Sequence, residues 1–263
     1  MDKLYVIKIG GNVIDNSEKL YEFLLNFSAL QGIKILVHGG GKAATKFSRD
    51  LGIEPRMIDG RRVTDIQTLQ VVTMVYAGLI NKNVVAQLQA HGCNAIGLTG
   101  ADGNFIRTRK RPVKDIDYGY VGDIHEGSVA SGNIRRLIEG GFIPVFSAIT
   151  HDGESQLLNT NADTIASAVA VAMSAHFETR LIYCFEKKGV LRDPDEEQSV
   201  IEHITREDYA ALKADGVITE GMIPKLDNAF ASLAAGVESV TIGDARDLGQ
   251  LAAGAGSGTR LTL

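Results

Sequence analysis

The chain has 263 residues, 44% of them hydrophobic and 22% charged, with a formal net charge of −5 at pH 7. That length fits one large α/β domain or two small ones and is enough to bury a sizeable core. The acidic balance argues against a non-specific nucleic-acid binder, and the one basic run, Arg107-Thr108-Arg109-Lys110-Arg111, reads as a solvated hairpin face.

Leu4-Tyr5-Val6-Ile7-Lys8-Ile9 is an apolar run closed by Gly10-Gly11, the pattern of a strand buried on both faces of a parallel sheet. A helix follows, with capping-box spacing from Asp15 to Glu18 and apolar positions at Leu20, Phe23, Leu24, Phe27 and Leu30. Ile33 to Val37 is a second strand, and a helix over Lys42 to about Leu51 comes after His38-Gly39-Gly40-Gly41. This βαβα opening implies a doubly wound sheet. Glu54 to Thr64 reads as a loop or short hairpin, and Asp65 to about His91 as one long helix with a bend at Gly78. A strand at Asn94–Leu98 leads to a turn at Gly100–Gly103, then antiparallel hairpins over 104–128. A helix at Ile134–Ile138, a strand at Ile143–Phe146 and a turn at His151–Gly153 complete the middle of the chain. The remainder reads as an alanine-rich helix from Asn161 or Asp163 to Ala175, a buried strand at Leu181–Phe185, helices near 205–215 and 223–235, and strands at Ser239–Ile242 and Thr259–Leu263.

Cys93 and Cys184 lie far apart in apolar stretches without CxxC or Cys/His metal spacing, so both read as buried free thiols of a reducing compartment. The chain enters a strand directly after Met1-Asp2. It shows neither a signal peptide nor an apolar run of membrane-spanning length, so a cytoplasmic protein without membrane or nucleic-acid partners is expected.

Four features carry chemistry. Three glycines between a strand and a helix form a candidate phosphate cradle, because peptides without Cβ approach an anion closely and helix-start N–H groups point at it. Gly39, Gly41 and Ala44 also match G-x-G-x-x-A, with Asp59 about 20 residues on, so a dinucleotide site stays open at this point. A P-loop is excluded, since Gly41-Lys42 is followed by Ala43. Lys8 interrupts an apolar strand at the end where α/β sheets bind ligands; it is either a ligand contact or an edge-strand lysine. Asn159-Thr160-Asn161-Ala162-Asp163 is either an N-cap or a polar binding segment. Lys225, after Pro224, stands in a first helical turn, where a cation conflicts with the helix dipole unless an anion is bound. Together, two lysines, a glycine nest and one acidic residue point to phosphoryl transfer by positioning and charge neutralisation.

On these residues the chain resembles the amino acid kinase family, and within it the N-acylglutamate kinases. The matching segments are Ile7–Gly11, His38–Gly41, Gly60-Arg61-Arg62-Val63-Thr64-Asp65, Gly119-Tyr120-Val121-Gly122-Asp123, Asn159–Asp163 and Gly221–Lys225, in the family's order and across nearly the whole chain. The resemblance implies an α/β fold, an αβα sandwich with a mainly parallel central sheet. It implies a single kinase domain, with an acylglutamate-binding and dimerisation lobe over about 1–178 and an ATP-binding lobe over about 179–263. It implies ATP-dependent phosphorylation of the γ-carboxylate of an N-acyl-L-glutamate, acetyl or a larger acyl group such as succinyl, on the route to arginine, with another carboxylate or carbamate kinase of the same family as the alternative. ATP would be the donor with Mg2+, and no metal would be held by protein ligands alone. Lys8 and Lys225 would neutralise the transferring phosphoryl group, Asp163 would hold the two lysines, and Gly11 would offer its N–H. Gly40, Gly41, Arg62 and Asn159 would hold the acylglutamate, supported by Asn161. ATP would contact Glu186, Lys187, Lys188, Gly189, Val190 and Leu191, and Ile218, Thr219 and Glu220. Where family members often carry Thr/Ser-Asp-Val, this chain has Phe185-Glu186-Lys187-Lys188. The short N-terminus implies an arginine-insensitive homodimer paired through the long helix after Asp65.

Overall fold

A computed structural model describes residues 1–58, 60–193, 195–218, 222–254 and 256–263, the side chain of Pro224 excepted. Expectations that fall on Asp59, Thr219, Glu220, Gly221 and the Pro224 side chain lie outside the described residues.

Strand β1 (Lys3–Ile9) is followed by a short helix α1 (Gly11–Ile14) and by α2 (Ser17–Ala29). The cap of α2 is Asn16, whose side chain accepts the Lys19 N–H at 3.0 Å, in place of the expected Asp15–Glu18 box. Strand β2 (Ile33–His38) leads through the glycines into α3 (Gly41–Asp50). The two-residue strands β3 (Met57–Ile58) and β4 (Arg61–Arg62) pair as the expected hairpin. Asp65 caps α4 (Ile66–Thr73), which passes through a π-helical stretch, Met74–Ile80, into α5 (Asn81–Ala90). Strand β5 (Ala95–Leu98) comes next; the basic run forms the exposed strand β6 (Arg109–Lys110), paired with β7 (Gly122–Asp123). Helix α6 (Ser131–Glu139) and strand β8 (Ile143–Ser147) precede a hairpin that the sequence did not announce, β9 (Ile149–His151) with β10 (Leu157–Asn159). The chain closes with α7 (Ala162–Met173), β11 (Glu178–Phe185), β12 (His203–Ile204), α8 (Arg206–Ala214), α9 (Ile223–Ala234), β13 (Ser239–Asp244), α10 (Leu248–Ala253) and β14 (Thr259–Leu261).

By packing, the chain divides into a terminal unit, Met1–Ile35 with Ala166–Leu263, and a middle unit, Leu36–Ile165. In the terminal unit β1, β11 and β13 are parallel neighbours, and β14 is antiparallel to β13 and parallel to β12. In the middle unit β8 lies between β2 and β5, parallel to both. The expected α/β class with a mainly parallel sheet is the one observed. The strands carry its core: Leu4, Val6, Ile7, Ile9, Leu181 and Val240 are fully buried in the terminal unit, or within 1% of it, and Leu36, Val37, Val145 and Phe146 in the middle unit. Cys93 and Cys184 are free and buried, and burial pushes the Cys184 thiol well above its ordinary value, so it stays protonated and inert.

The continuous helix Ile66–Ala90 is, by length and composition alone, apolar enough to cross a membrane. This corrects the expectation that no apolar run of membrane-spanning length exists. Its buried side is a core face of the middle unit, with Leu69, Val72, Val84 and Leu88 at most 4% exposed, while Ile66, Met74 and Leu79 are open.

Candidate functional site

In the middle unit the glycine run is held by a network that begins at His38. The His38 side chain is fully buried, with Nδ1 at 2.9 Å from the Gly39 carbonyl and Nε2 at 3.0 Å from Asn81 Nδ2. Asn81 Nδ2 also donates to the Val145 carbonyl at 3.0 Å, and its Oδ1 accepts from Lys82 Nζ at 3.2 Å, which settles the amide orientation. An amide nitrogen only donates, so Nε2 accepts and the imidazole proton sits on Nδ1, donated to Gly39. A trans peptide points its N–H opposite to its C=O. With the Gly39 carbonyl held toward His38, the Gly40 N–H faces away from that side chain.

Gly40 has φ +151°, and a Cβ there would stand 2.2 Å from Ile80 Cδ1 and 3.0 Å from Tyr76 Cδ1. Both neighbours belong to the π-helical stretch, a rare geometry that recurs at functional sites and here turns Tyr76, Ile80 and Asn81 toward one loop. Only glycine fits between them.

Burial pushes the His38 pKa down from 6.5 to about 4, with its bond to Gly39 opposing and the charge of Lys82 adding to the fall. The sign follows directly. The unfolded chain binds this proton near 6.5 and the native protein only near 4, so stability is undiminished above that window and drains away as pH falls through it. The full loss amounts to about 3 kcal/mol. Urea midpoints compared between about pH 7.5 and pH 4.5 should fall more steeply for the native protein than for His38→Gln; parallel falls would show that His38 is not held neutral.

Arg62 ends β4 with its side chain 8% exposed. Its Nη2 donates to the Gly41 carbonyl and to Thr45 Oγ1, each at 2.8 Å, and its Nη1 is buried with no partner among the described residues. Asn159 ends β10 and donates to Thr64 Oγ1 at 3.1 Å; its backbone N–H donates to the Tyr120 carbonyl. The segment Gly119–Asp123 threads alongside. At Gly119 (φ +72°) a Cβ would meet the Thr64 carbonyl at 2.2 Å; at Gly122 it would meet the hydroxyls of Thr108 and Thr160 at 2.5 Å. Asn161 is exposed, and its side chain accepts the Thr164 N–H at 3.0 Å, capping α7; Asp163 stands in that helix's first turn. The middle unit thus gathers Gly39–Gly41, Arg62, Thr64 and Asn159 into one polar neighbourhood.

In the terminal unit, Lys8 is 7% exposed near the carboxyl end of β1, opposite Tyr183. Gly10 donates its N–H to the Cys184 carbonyl at 3.0 Å, and Gly11 opens α1. Lys225 lies in the first turn of α9. Both lysines reach one ring: Nζ of Lys8 is 5.1 Å and Nζ of Lys225 4.0 Å from the centroid of Phe185. Glu186 accepts from Asn12 Nδ2 and pairs with Lys19 Nζ at 2.9 Å, a surface pair of little energetic weight. Lys187 and Lys188 are exposed. Gly189 and Val190 are packed against β14, the Val190 N–H donating to Thr259 Oγ1 at 2.8 Å, Leu191 bridges to Val200, and Ile218 is buried. Among the described residues no group of three or more His, Cys, Asp or Glu side chains is placed to hold a metal ion. Sequence reading missed Phe185, Asn81 and the orienting role of His38; a buried amide inside an apolar helix was the available signal for Asn81.

The sequence signature of the Amino acid kinase family matches residues 3–244. Acetylglutamate kinase of Cytophaga hutchinsonii is 56% identical over 252 residues, 95% of each chain, and that of Parabacteroides distasonis 51% identical over 261 residues, 99% of this chain and 100% of its own. Among solved structures, a Streptococcus mutans protein superposes with a TM-score of 0.77 at 30% identity, covering 99% of this chain and 98% of that one. Carbamate kinase from Giardia lamblia bound to AMP-PNP superposes with 0.68 at 15% identity, covering 99% and 98%, a likeness of fold alone. The N-acetylglutamate synthase of Neisseria gonorrhoeae gives 0.82 at 23% identity; this chain matches only 59% of its length.

Proposed function

The chain belongs to the amino acid kinase family, and from that premise we propose that it transfers the γ-phosphoryl group of ATP to the γ-carboxylate of N-acetyl-L-glutamate. In the geometry, Arg62 carries this reading: a buried guanidinium, anchored to the glycine run, keeps one nitrogen for a further acceptor. A planar fork of this kind suits a substrate carboxylate. Relatives over nearly the full length are acetylglutamate kinases, which favours acetyl over a larger acyl group, and the dinucleotide reading has no such support.

The nucleophile is a carboxylate, ionised at neutral pH, so no general base is required. Its oxygen bonds to the γ-phosphorus as the bond to the bridging oxygen of ADP breaks; no proton moves. The barrier lies in bringing one anion to another. Lys8 and Lys225 supply positive charge to the transferring group, and the N–H groups of Gly11, Gly40 and Gly41 donate to its oxygens. Arg62 and Asn159 orient the acetylglutamate, Asn161 shapes that segment by capping α7, and Asp163 organises the lysines. Residues up to about 178 would serve the acylglutamate, and residues from 179 onward the nucleotide, through Glu186–Leu191 and Ile218–Glu220. Mg2+ would enter on the triphosphate, adding charge neutralisation.

We infer a cytoplasmic enzyme on the route to arginine, a reading that the biosynthetic acetylglutamate kinase relatives support. The open apolar side chains of Ile66, Met74 and Leu79 support a homodimer through the long helix. Sedimentation should give a dimer insensitive to arginine; a hexamer inhibited by arginine would reject that assembly. The function itself is tested by trapping acyl phosphate as hydroxamate with ATP, Mg2+ and a panel of acetylglutamate, succinylglutamate, glutamate and aspartate. Acetylglutamate should give the highest yield. Turnover of free glutamate or aspartate alone would overturn the assignment.

A further inference from the structure

Phe185 ends β11, half-buried, and receives two ammonium groups from distant parts of the chain. Lys8 comes from β1 and Lys225 from the first turn of α9, at 5.1 Å and 4.0 Å from one ring centroid. Its surroundings fix the ring. Tyr183 stacks with it at 6.2 Å between centroids and 13° between planes, and a Cβ on Gly10 would crowd its Cδ1 at 3.3 Å. Two like charges brought to one place repel. An aromatic ring attracts each cation through its quadrupole and leaves its formal charge intact.

Resting on the kinase reading above, we propose that Phe185 is a positioning residue, whose ring holds Lys8 and Lys225 side by side, both charged, before the phosphoryl group arrives. The lysines then need little reorganisation at transfer, the condition under which fixed charge is most effective.

The test uses the full chain with 4-fluoro-, 3,5-difluoro- and 3,4,5-trifluorophenylalanine at position 185, which keep the ring's shape and weaken its attraction for cations. The kcat should fall stepwise, to about tenfold at the trifluoro ring, with the KM for acetylglutamate unchanged. Phe185→Leu should fall at least as far, and Phe185→Tyr should stay near the native rate. A flat fluorinated series beside a slow Phe185→Leu would reduce the ring to packing and overturn the proposal. A second readout needs no turnover: the 19F signal of the 4-fluoro ring should move in both Lys8→Met and Lys225→Met. A signal that neither change moves would overturn the shared contact. Failure of the unlabelled native enzyme to form acyl phosphate would instead reject the kinase reading, leaving the fluorine result to stand separately.

Discussion

Lys8→Ala should lower kcat by about 10²-fold or more with little change in either KM. Lys8 is the one cation in an otherwise apolar stretch of β1, 7% exposed, where an ammonium costs desolvation that Leu or Ile would not. Its value must appear when negative charge builds up on a phosphoryl group. A donor fixed for that moment is worth about 10²–10³ in kcat, because it acts at low dielectric and needs no rearrangement. The far-UV circular dichroism of Lys8→Ala should match that of the native protein, so the lost rate is not a lost fold. That combination separates a chemical role from a structural one. Lys8→Met restores the volume without the charge and should be as slow as Lys8→Ala. An unchanged kcat in both variants would remove Lys8 from the mechanism.

Most of the fold was legible because its strands are continuous apolar runs. β1, β2, β11 and β13 announced themselves at Leu4–Ile9, Ile33–Val37, Leu181–Phe185 and Ser239–Ile242, since a strand buried on both faces admits few polar residues. The hairpin β9–β10 did not, because three-residue strands are too short for a period. Its turn is held instead by Asp152, which accepts the N–H groups of Glu154 and Gln156. The π stretch was invisible for a related reason: a wider turn shifts the helical period within a single segment, and apolar spacing averages over it. Asn16 displaced Asp15 as a cap because either residue suits that role and one position decides between them.

The residues of the candidate site divide in the same way. Gly40, Gly41 and Lys8 stood out because each breaks a local rule, as a flexible or charged residue where the pattern wants a rigid or apolar one, whereas Arg62, in an expected hairpin, was reached only through the family resemblance. The groups that orient them break no rule in sequence. His38 and Asn81 are 43 positions apart, and Phe185 looks like the last residue of a buried strand. Their contacts exist only once the strands and helices of each unit have formed.

Arg62→Ala should raise the KM for acetylglutamate about 10²-fold, leaving the KM for ATP unchanged and kcat lowered much less. Two separate losses meet in this variant. One is the charge-assisted fork to the substrate carboxylate; losing one partner of such a desolvated pair costs about 2–5 kcal/mol. The other is the anchor on the glycine run, since Arg62 bonds both the Gly41 carbonyl and Thr45 Oγ1. Two further variants tell these apart. Thr45→Val removes one hydrogen bond from the anchor and keeps the guanidinium, so its KM should stay within about threefold of native. Arg62→Lys keeps the charge and loses the planar fork, and should fall between native and Arg62→Ala. If loosening the glycine run were the main effect, Thr45→Val would follow Arg62→Ala and kcat would drop with it, because in the proposed mechanism Gly40 and Gly41 donate to the group in flight. A change confined to the KM for ATP would place the acylglutamate pocket elsewhere.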